Sequence, residues 1–311
     1  MVFHRTIRLR FKWFTLAAEQ GLAHAQNNLG IMYEDGQGVS QDYKTAVKWY
    51  RLAAEQGFAP AQHNLGRIAE DETKKPEKAV DDDKVYSAAS GSGFAVTSDG
   101  YVVTNYHVIE GCTDVKIHDK GKTILATLVT FDPINDVALI KGDFKPRSFY
   151  PLSRKSPKLL MDVYVAGHPF GRDISTSVKV TKGIVSSLTG IANNFSNLQI
   201  DAALQPGNSG GPIMNDKGNV IGVAVAKLDL EKIVDDYGVV PENVNFGVKA
   251  NTVINILESE NIKFPSPNED VISSSELGEL IADGTYYLSC WMTIAQIEKM
   301  IEKKVMFKDL K

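Results

Sequence analysis

The stretch from Asp201 to Pro212 places a serine, Ser209, in a glycine-rich turn between two apolar segments. A serine hydroxyl is a weak nucleophile at neutral pH, so it needs a base to take its proton and donors to hold the oxyanion that forms. Glycines on both sides of the serine let the backbone amides of Gly207 and Ser209 point at one spot. The turn therefore predicts an acylating serine with an oxyanion hole beside it.

A base and a carboxylate for this serine stand upstream, each beside an apolar segment. Residues 101–109 read YVVTNYHVI and supply His107, and residues 135–140 read NDVALI and supply Asp136. We expect His107 to act as general base and then as general acid, and Asp136 to fix its tautomer and stabilise the imidazolium. The chain order histidine, aspartate, serine is that of chymotrypsin, whereas subtilisin and the α/β-hydrolases use other orders.

Six short motifs occur in one order over roughly residues 86–257, and each of them alone is weak. They are GSGF at 91–94, TNYHV at 104–108, NDVALI at 135–140, GHPFG at 167–171, TKGIVS at 181–186 and GNSGGP at 207–212. Together they resemble the trypsin-like serine peptidases, and more narrowly the HtrA (Deg) family. The resemblance implies two six-stranded β-barrels, with His107 and Asp136 on the first, Ser209 on the second and the active site in the cleft between them.

Substrate specificity should follow the residues just before the serine and the strand after it. In trypsin an acidic residue stands six positions before the nucleophile, whereas that position here is Ala203. A basic substrate side chain would therefore lack a partner. The family resemblance implies that the pocket is lined by Leu204 and by Val223, Ala224, Val225 and Ala226. We expect small or branched aliphatic residues before the scissile bond; plain core packing is the alternative for Leu204.

Two other functions fit the same residues. One is an interaction protein with a catalytically silent peptidase fold, although intact His107, Asp136 and Ser209 argue against it. The other is an esterase or acyl-transfer enzyme that uses the same triad, and no motif supports it. His168 replaces the asparagine of the family's loop, which favours a structural role. The remaining histidines are scattered, so we expect neither a metal site nor any other cofactor.

The composition is that of an ordinary globular protein, with 311 residues, 43% apolar, 23% charged and a net charge of −4. No basic stripe with interleaved aromatic residues occurs, so nucleic acid is not an expected partner; protein or peptide substrates are. No run of eighteen apolar residues and no apolar signal-peptide core is present, which predicts no membrane span and no export signal. The compartment stays open, and the periplasm is an alternative if the N-terminus is incomplete.

The two cysteines, Cys112 and Cys290, lie in different regions of the sequence and lack metal-ligand spacing. Two free buried thiols are the simpler interpretation. A disulfide between them stays open, because sequence spacing does not decide whether the two side chains meet.

The first 70 residues contain a direct repeat. WFTLAAEQG at 13–21 returns as WYRLAAEQG at 49–57, and AQNNLG at 25–30 returns as AQHNLG at 61–66. Each unit predicts a helix, a glycine stop and a second helix, and the pair resembles Sel-one-like, tetratricopeptide-related repeats. About three such units are normally needed for independent stability, so we expect residues 1–70 to rest on the peptidase or on a protein partner.

Composition also predicts the other boundaries. Residues 71–85 are charged and lack an apolar period, which predicts a linker. Residues 86–260 alternate short β-branched strands with turns, as antiparallel barrels do. Residues 261–311 predict a short appendage on the body, too short for the PDZ domain of many HtrA relatives. The expected fold class is multidomain: a small all-α helical repeat domain, an all-β chymotrypsin-like double β-barrel and a short α/β C-terminal tail.

Overall fold

The computed structural model of the chain describes residues 11, 13–15, 17–37, 39, 41–72, 83–169, 177–225 and 243–300. The chain divides into two compact units, Met1–Asp81 and Asp82–Lys311. Within the described ranges, no helix has the length and apolar character that crossing a membrane requires.

The smaller unit is helical, as the repeat pattern predicted. Its complete helices are α1 (Ala23–Asp35), α2 (Tyr43–Glu55) and α3 (Ala59–Glu72). Asp42 is the N-cap of helix α2. Its carboxylate accepts a hydrogen bond from the backbone N–H of Thr45 and thereby pairs one of the free amides at the helix start. The alanines of the repeat let the helices approach closely, because Ala46, Ala53 and Ala61 are fully buried around Tyr50.

One buried carboxylate joins all three helices of the smaller unit. Glu34 on α1 accepts a 2.7 Å hydrogen bond from the Tyr50 hydroxyl on α2. It also pairs with Arg67 on α3, at 2.6 Å. Burial and the neighbouring Glu34 charge raise the pKa of Tyr50 well above its ordinary value, so this hydroxyl stays protonated and donates.

The larger unit contains two closed six-stranded antiparallel barrels, as the sequence predicted. Its strands in chain order are β1 (Val85–Ala95), β2 (Tyr101–Thr104), β3 (Asp114–Asp119), β4 (Lys122–Asp132), β5 (Val137–Gly142), β6 (Asp162–Gly167), β7 (Lys179–Ser187), β8 (Asn197–Ile200), β9 (Pro212–Met214), β10 (Val220–Val225), β11 (Asn245–Lys249) and β12 (Thr285–Thr293). The helices of this unit with both ends among the described residues are α4 (Tyr106–Ile109), α5 (Ala250–Ser259) and α6 (Ser274–Gly284), with a 3₁₀ turn at Ile191–Asn193; residues 294–300 are also helical. The strand order is β1-β12-β3-β4-β5-β2 in the first barrel and β10-β11-β8-β7-β6-β9 in the second.

The C-terminal segment is not an appendage, and that prediction was wrong. Strand β12 lies between β1 and β3 and closes the first barrel. Without it, β1 and β3 would each expose an unpaired edge, which is costly in a barrel. Tyr286 and Leu288 of β12 fill the core of that barrel, so the strand also supplies apolar volume that the five preceding strands lack.

The two cysteines form a disulfide, Cys112–Cys290, so the favoured interpretation of two free thiols was also wrong. Strand pairing supplies the reason: Cys290 on β12 is opposite Val115 near the start of β3. That register brings the chain just before β3 to within disulfide reach, with 5.4 Å between the two Cα atoms.

A shared core lies between the barrels. Phe94 and Leu139 of the first barrel and Val248 of the second belong to one buried cluster, together with Leu257 of α5 and Ile281 of α6. Burial of large apolar side chains is the main stabilising contribution in such a core. Packing between the barrels therefore fixes the position of one barrel against the other; His107 and Asp136 lie beside strands of the first and Ser209 beside a strand of the second.

Candidate active site

The predicted base and carboxylate meet on the first barrel. Strands β2 and β5 are paired, with Thr104 opposite Ala138, so the residues after β2 lie beside those before β5. The ring nitrogen Nδ1 of His107 is 2.6 Å from Oδ2 of Asp136, and the His107 backbone N–H donates to Oδ1 at 2.8 Å. Because a carboxylate only accepts, the Nδ1 proton points at Asp136, which leaves the Nε2 lone pair to act as a base.

Asp136 occupies an unusual backbone conformation, with φ of 57° in the left-handed region. Two contacts hold it there. The side-chain amide of Asn105 donates to the Asp136 carbonyl at 2.8 Å, and the Asp132 carboxylate accepts from the backbone N–H groups of Ile134 and Asn135 in the preceding turn. Partial burial acts to raise the pKa of the Asp132 carboxyl, but a 2.6 Å hydrogen bond from the Asn135 side-chain amide, together with the two backbone N–H bonds, outweighs it and holds that pKa below its ordinary value.

The turn that carries Ser209, called the serine turn, lies between β8 and β9 of the second barrel. Its backbone is closed by a 2.9 Å hydrogen bond from Asn208 N–H to the Gln205 carbonyl. Gly207 has a φ of 100°, which an L-residue with a side chain rarely adopts. After the turn, Gly210 N–H donates to the carbonyl of Ala224 on β10, which ties the serine segment to the barrel wall. Ser209 itself is 5% exposed.

Ser92 on β1 joins the serine turn to the first barrel. Its backbone N–H donates to the Ser209 carbonyl at 2.8 Å, and its hydroxyl donates to the Gly207 carbonyl at 2.7 Å. The same hydroxyl accepts from the backbone N–H of His168 at 2.8 Å, and the Ser92 carbonyl accepts from the Thr104 hydroxyl at 2.7 Å. Ser92 is fully buried, so water does not compete with these four bonds.

Gly91 is where the first and second barrels approach each other beside the predicted triad. A Cβ atom placed there would lie 2.7 Å from Val108 Cγ2 and 3.0 Å from the Ser209 carbonyl oxygen. Any side chain at position 91 would therefore require Val108 or the Ser209 carbonyl to move. Because Val108 follows His107 directly on α4, the glycine lets the histidine helix and the Ser209 segment approach closely.

The predicted pocket residues divide between two clusters. Leu204 packs against the core cluster of the second barrel, which contains Ala224 of β10. Val223 instead belongs to the cluster between the barrels, and Val225 packs against that same cluster. Ala226 lies outside the described residues. Leu204 thus packs on the cluster to which Ala224 belongs, while Val223 and Val225 lie on the other side of β10.

The two residues that sequence reasoning did not assign a role are Ser92 and Asn105. Both lie inside motifs that the sequence analysis singled out, GSGF and TNYHV, but a motif alone does not show which distant residue each side chain contacts. His168 is buried with its ring 6.1 Å from that of Tyr287, consistent with the structural role expected for it. Among the described residues, no three His, Cys, Asp or Glu side chains are grouped so that they could hold a metal ion.

Comparison with protein families agrees with this geometry. Residues 91–223 match the trypsin-like peptidase domain, which spans the three predicted triad positions. Residues 11–22 and 23–58 match the Sel1 repeat. The chain therefore carries a trypsin-like peptidase domain preceded by Sel1 repeats, and the resemblance inferred from the motifs is confirmed.

Several curated proteins are similar to the chain. It is 33% identical over 210 residues to the uncharacterized protein y4bJ of Sinorhizobium fredii, covering 67% of the chain and 33% of that protein. It is 39% identical over 142 residues to a probable periplasmic serine endoprotease DegP-like of Chlamydia muridarum, covering 45% and 28%. It is 32% identical over 211 residues to Protease Do-like 1, chloroplastic, of Arabidopsis thaliana, covering 62% and 46%. The chain thus spans less than half the length of each of these relatives.

Proposed function

We propose that this chain, with its trypsin-like domain and Sel1 repeats, is a serine endopeptidase that cleaves protein substrates through an acyl-enzyme. Ser209 is the nucleophile, His107 the general base and then the general acid, and Asp136 the residue that orients the imidazole. The observation that carries the proposal is the 2.6 Å hydrogen bond between His107 Nδ1 and Asp136 Oδ2. The first barrel, to which both residues belong, is joined to the serine turn by the Ser92 hydroxyl.

The reaction proceeds in two acyl-transfer steps. Ser209 Oγ attacks the carbonyl carbon of the scissile peptide while its proton passes to His107 Nε2, and the resulting imidazolium is stabilised by Asp136. That proton then passes to the leaving amine as the carbon–nitrogen bond breaks, which leaves an ester on Ser209. Water, deprotonated by His107, attacks this ester and releases the second product with the serine restored.

The oxyanion hole consists of the backbone N–H groups of Gly207 and Ser209. Three contacts support this assignment. The Asn208 N–H on the Gln205 carbonyl and the Ser92 hydroxyl on the Gly207 carbonyl both hold the Gly207–Asn208 peptide, and the Gly211 N–H holds the Asn208 carbonyl of the next peptide. A donor that is already in position when charge develops stabilises the transition state without reorganisation, and one such donor typically contributes about 3 kcal/mol.

The pocket before the scissile bond takes small or branched aliphatic side chains. Leu204 packs beside the serine turn against the apolar cluster that contains Ala224, and Ala203 offers no carboxylate to a basic residue. An apolar pocket discriminates modestly between aliphatic residues but rejects an unpaired charge, because burying that charge is costly. Ala226 stays a proposed member of this pocket, whereas Val223 and Val225 pack on the opposite side of β10 and are not proposed as members.

Turnover of casein by the full chain, followed by mass-spectrometric mapping of the cut sites, tests both parts of the proposal. We expect cuts after Val, Ala or Ile, and no cleavage by the Ser209→Ala variant. A majority of cuts after Arg or Lys would overturn the pocket assignment. Hydrolysis of p-nitrophenyl acetate without casein cleavage would instead favour an esterase, and undiminished cleavage by Ser209→Ala would overturn the triad.

The Sel1 repeats bind a protein partner or substrate and take no part in the chemistry. The triad contacts described above all lie within residues 91–224, and the repeats form a separate compact unit. A chain that starts near Tyr86 should therefore still hydrolyse a short unstructured peptide. If that shortened chain is folded yet inert toward every peptide that the full chain cuts, the repeats complete the active site and this division is wrong.

A further inference from the structure

The segment that follows the catalytic-histidine helix is attached to the C-terminal strand at several points. Helix α4 ends at Ile109, and Thr113, four residues later, donates its backbone N–H to the Trp291 carbonyl of β12 at 2.8 Å. The Thr113 hydroxyl donates to Gln296 Oε1 at 2.6 Å. Gly111 lies against the side chains of Met292 and Met300.

The disulfide makes this attachment covalent. Cys112 lies five residues after His107, and Cys290 lies in the middle of β12, paired with neighbours on both sides. Cys290 is 1% exposed, whereas Cys112 is only partly buried, at the edge of the core of the first barrel. Solvent therefore reaches the bond from the Cys112 side.

We propose that Cys112 and Cys290 are positioning residues for His107 and that reduction of their disulfide lowers catalytic activity, which makes the peptidase redox-sensitive. The inference rests on the proposed function. Helix α4 is only four residues long and follows directly from Asn105, so its orientation depends on what holds each end. Asp136 and Asn105 hold the first end; the disulfide and Thr113 hold the second.

A dithiol reductant is the co-reactant. Its thiolate attacks Sγ of Cys112, the sulfur–sulfur bond breaks, and Cys290 leaves as a thiolate that takes up a proton. The second thiol of the reductant then displaces Cys112, which is protonated in turn. The protein gains two electrons and two protons as two thiols, and the reductant becomes its own disulfide.

Reduction of the full chain with dithiothreitol tests the proposal, with the free thiols counted to verify that both cysteines are reduced. The readout is kcat and KM for a short peptide before reduction, after it, and after reoxidation. A small misplacement of a catalytic group costs up to about 100-fold in rate, so we expect kcat to fall by about 10- to 100-fold with KM unchanged and to recover on reoxidation. The Cys112→Ser/Cys290→Ser variant should behave like the reduced enzyme and ignore the reductant.

Val163→Ala is the matched control, because Val163 is fully buried in the core of the second barrel and touches neither cysteine. It should lower thermal stability while leaving kcat unchanged where the protein is folded. If wild-type kcat is unchanged once both thiols are free, or if the double-serine variant still responds to the reductant, the positioning role is wrong.

A second readout does not need activity. The proton NMR signal of the hydrogen between His107 Nδ1 and Asp136 should shift when the wild-type protein is reduced. In oxidised Val163→Ala the signal should have the same position as in oxidised wild type. A signal that stays constant on reduction contradicts the inference even if the oxidised protein reacts with a fluorophosphonate probe. Absence of probe labelling and of any turnover contradicts the proposed function instead, and the NMR signal then decides the positioning role alone.

Discussion

Replacement of Ser92 by alanine should impair catalysis at a residue that contacts no substrate. The Ser92→Ala variant loses the hydroxyl that donates to the Gly207 carbonyl and accepts from the His168 N–H. Ser92 is fully buried and His168 is 6% exposed, so water cannot easily replace these bonds. Leaving a buried polar group unpaired costs about 1–3 kcal/mol, and the variant leaves two such groups, so the free energy of unfolding should fall by roughly 2–6 kcal/mol.

The same loss frees the Gly207–Asn208 peptide to rotate, so the oxyanion-hole donors are no longer held in position. Loss of one full donor costs 10²–10³ in kcat, and a donor that is present but misplaced costs less, so we expect a decrease of about 10- to 100-fold. Urea unfolding measures the stability change, and kcat on a short peptide below the transition measures catalysis. Ser90→Ala, an exposed position on the same strand, should change neither by a measurable amount.

A Ser92→Ala variant that is folded and keeps kcat within about twofold of wild type would refute this reasoning, since the expected loss is at least several times larger. Loss of stability with no change in kcat would show that the bond matters only for folding. A change in KM with unchanged kcat would mean instead that Ser92 shapes the substrate-binding site.

Three further changes probe other contacts. Asp136→Asn should lower kcat by about 10⁴-fold, because an amide no longer selects the required imidazole tautomer, and steady-state kinetics measure this; a loss under tenfold would contradict the role. Ending the chain after Gly284 removes β12 and should prevent folding of the first barrel, visible as lost near-ultraviolet circular dichroism; native spectra and activity would contradict it. The Asp132 carboxyl has a folded pKa below its ordinary value, so its stabilising contribution is complete above the ordinary pKa and is lost as pH falls through the lower folded value. Urea titrations at several acidic pH values should show this decrease, and Asp132→Asn should flatten it; an equal decrease in both proteins would exclude Asp132 as the cause.

Local motifs predicted much of this molecule. The helical repeats, the double barrel and the meeting of His107 with Asp136 followed from short segments whose meaning does not depend on distant residues. Each of these residues stands next to its strand in the chain, so a strand prediction also places the side chain. The glycine-rich turn around Ser209 could be predicted for the same reason.

Contacts between distant residues were not predictable in this way. Ser92 and Gly207 are separated by 115 positions, and neither motif indicates that its residue contacts the other. The two cysteines are separated by 178 positions, and they meet only because β12 inserts between β1 and β3. Strand order in a barrel depends on which edges remain open after the other strands have paired, and that is a property of the whole sheet.

The central claim is that Ser209 is a nucleophile activated by His107. It is tested most directly by incubating the full chain with a fluorophosphonate probe, digesting it and locating the adduct by mass spectrometry. We expect a single adduct on Ser209, which disappears in a folded His107→Ala variant. A folded wild-type protein with no adduct on Ser209, or equal labelling of another serine in Ser209→Ala, would contradict it.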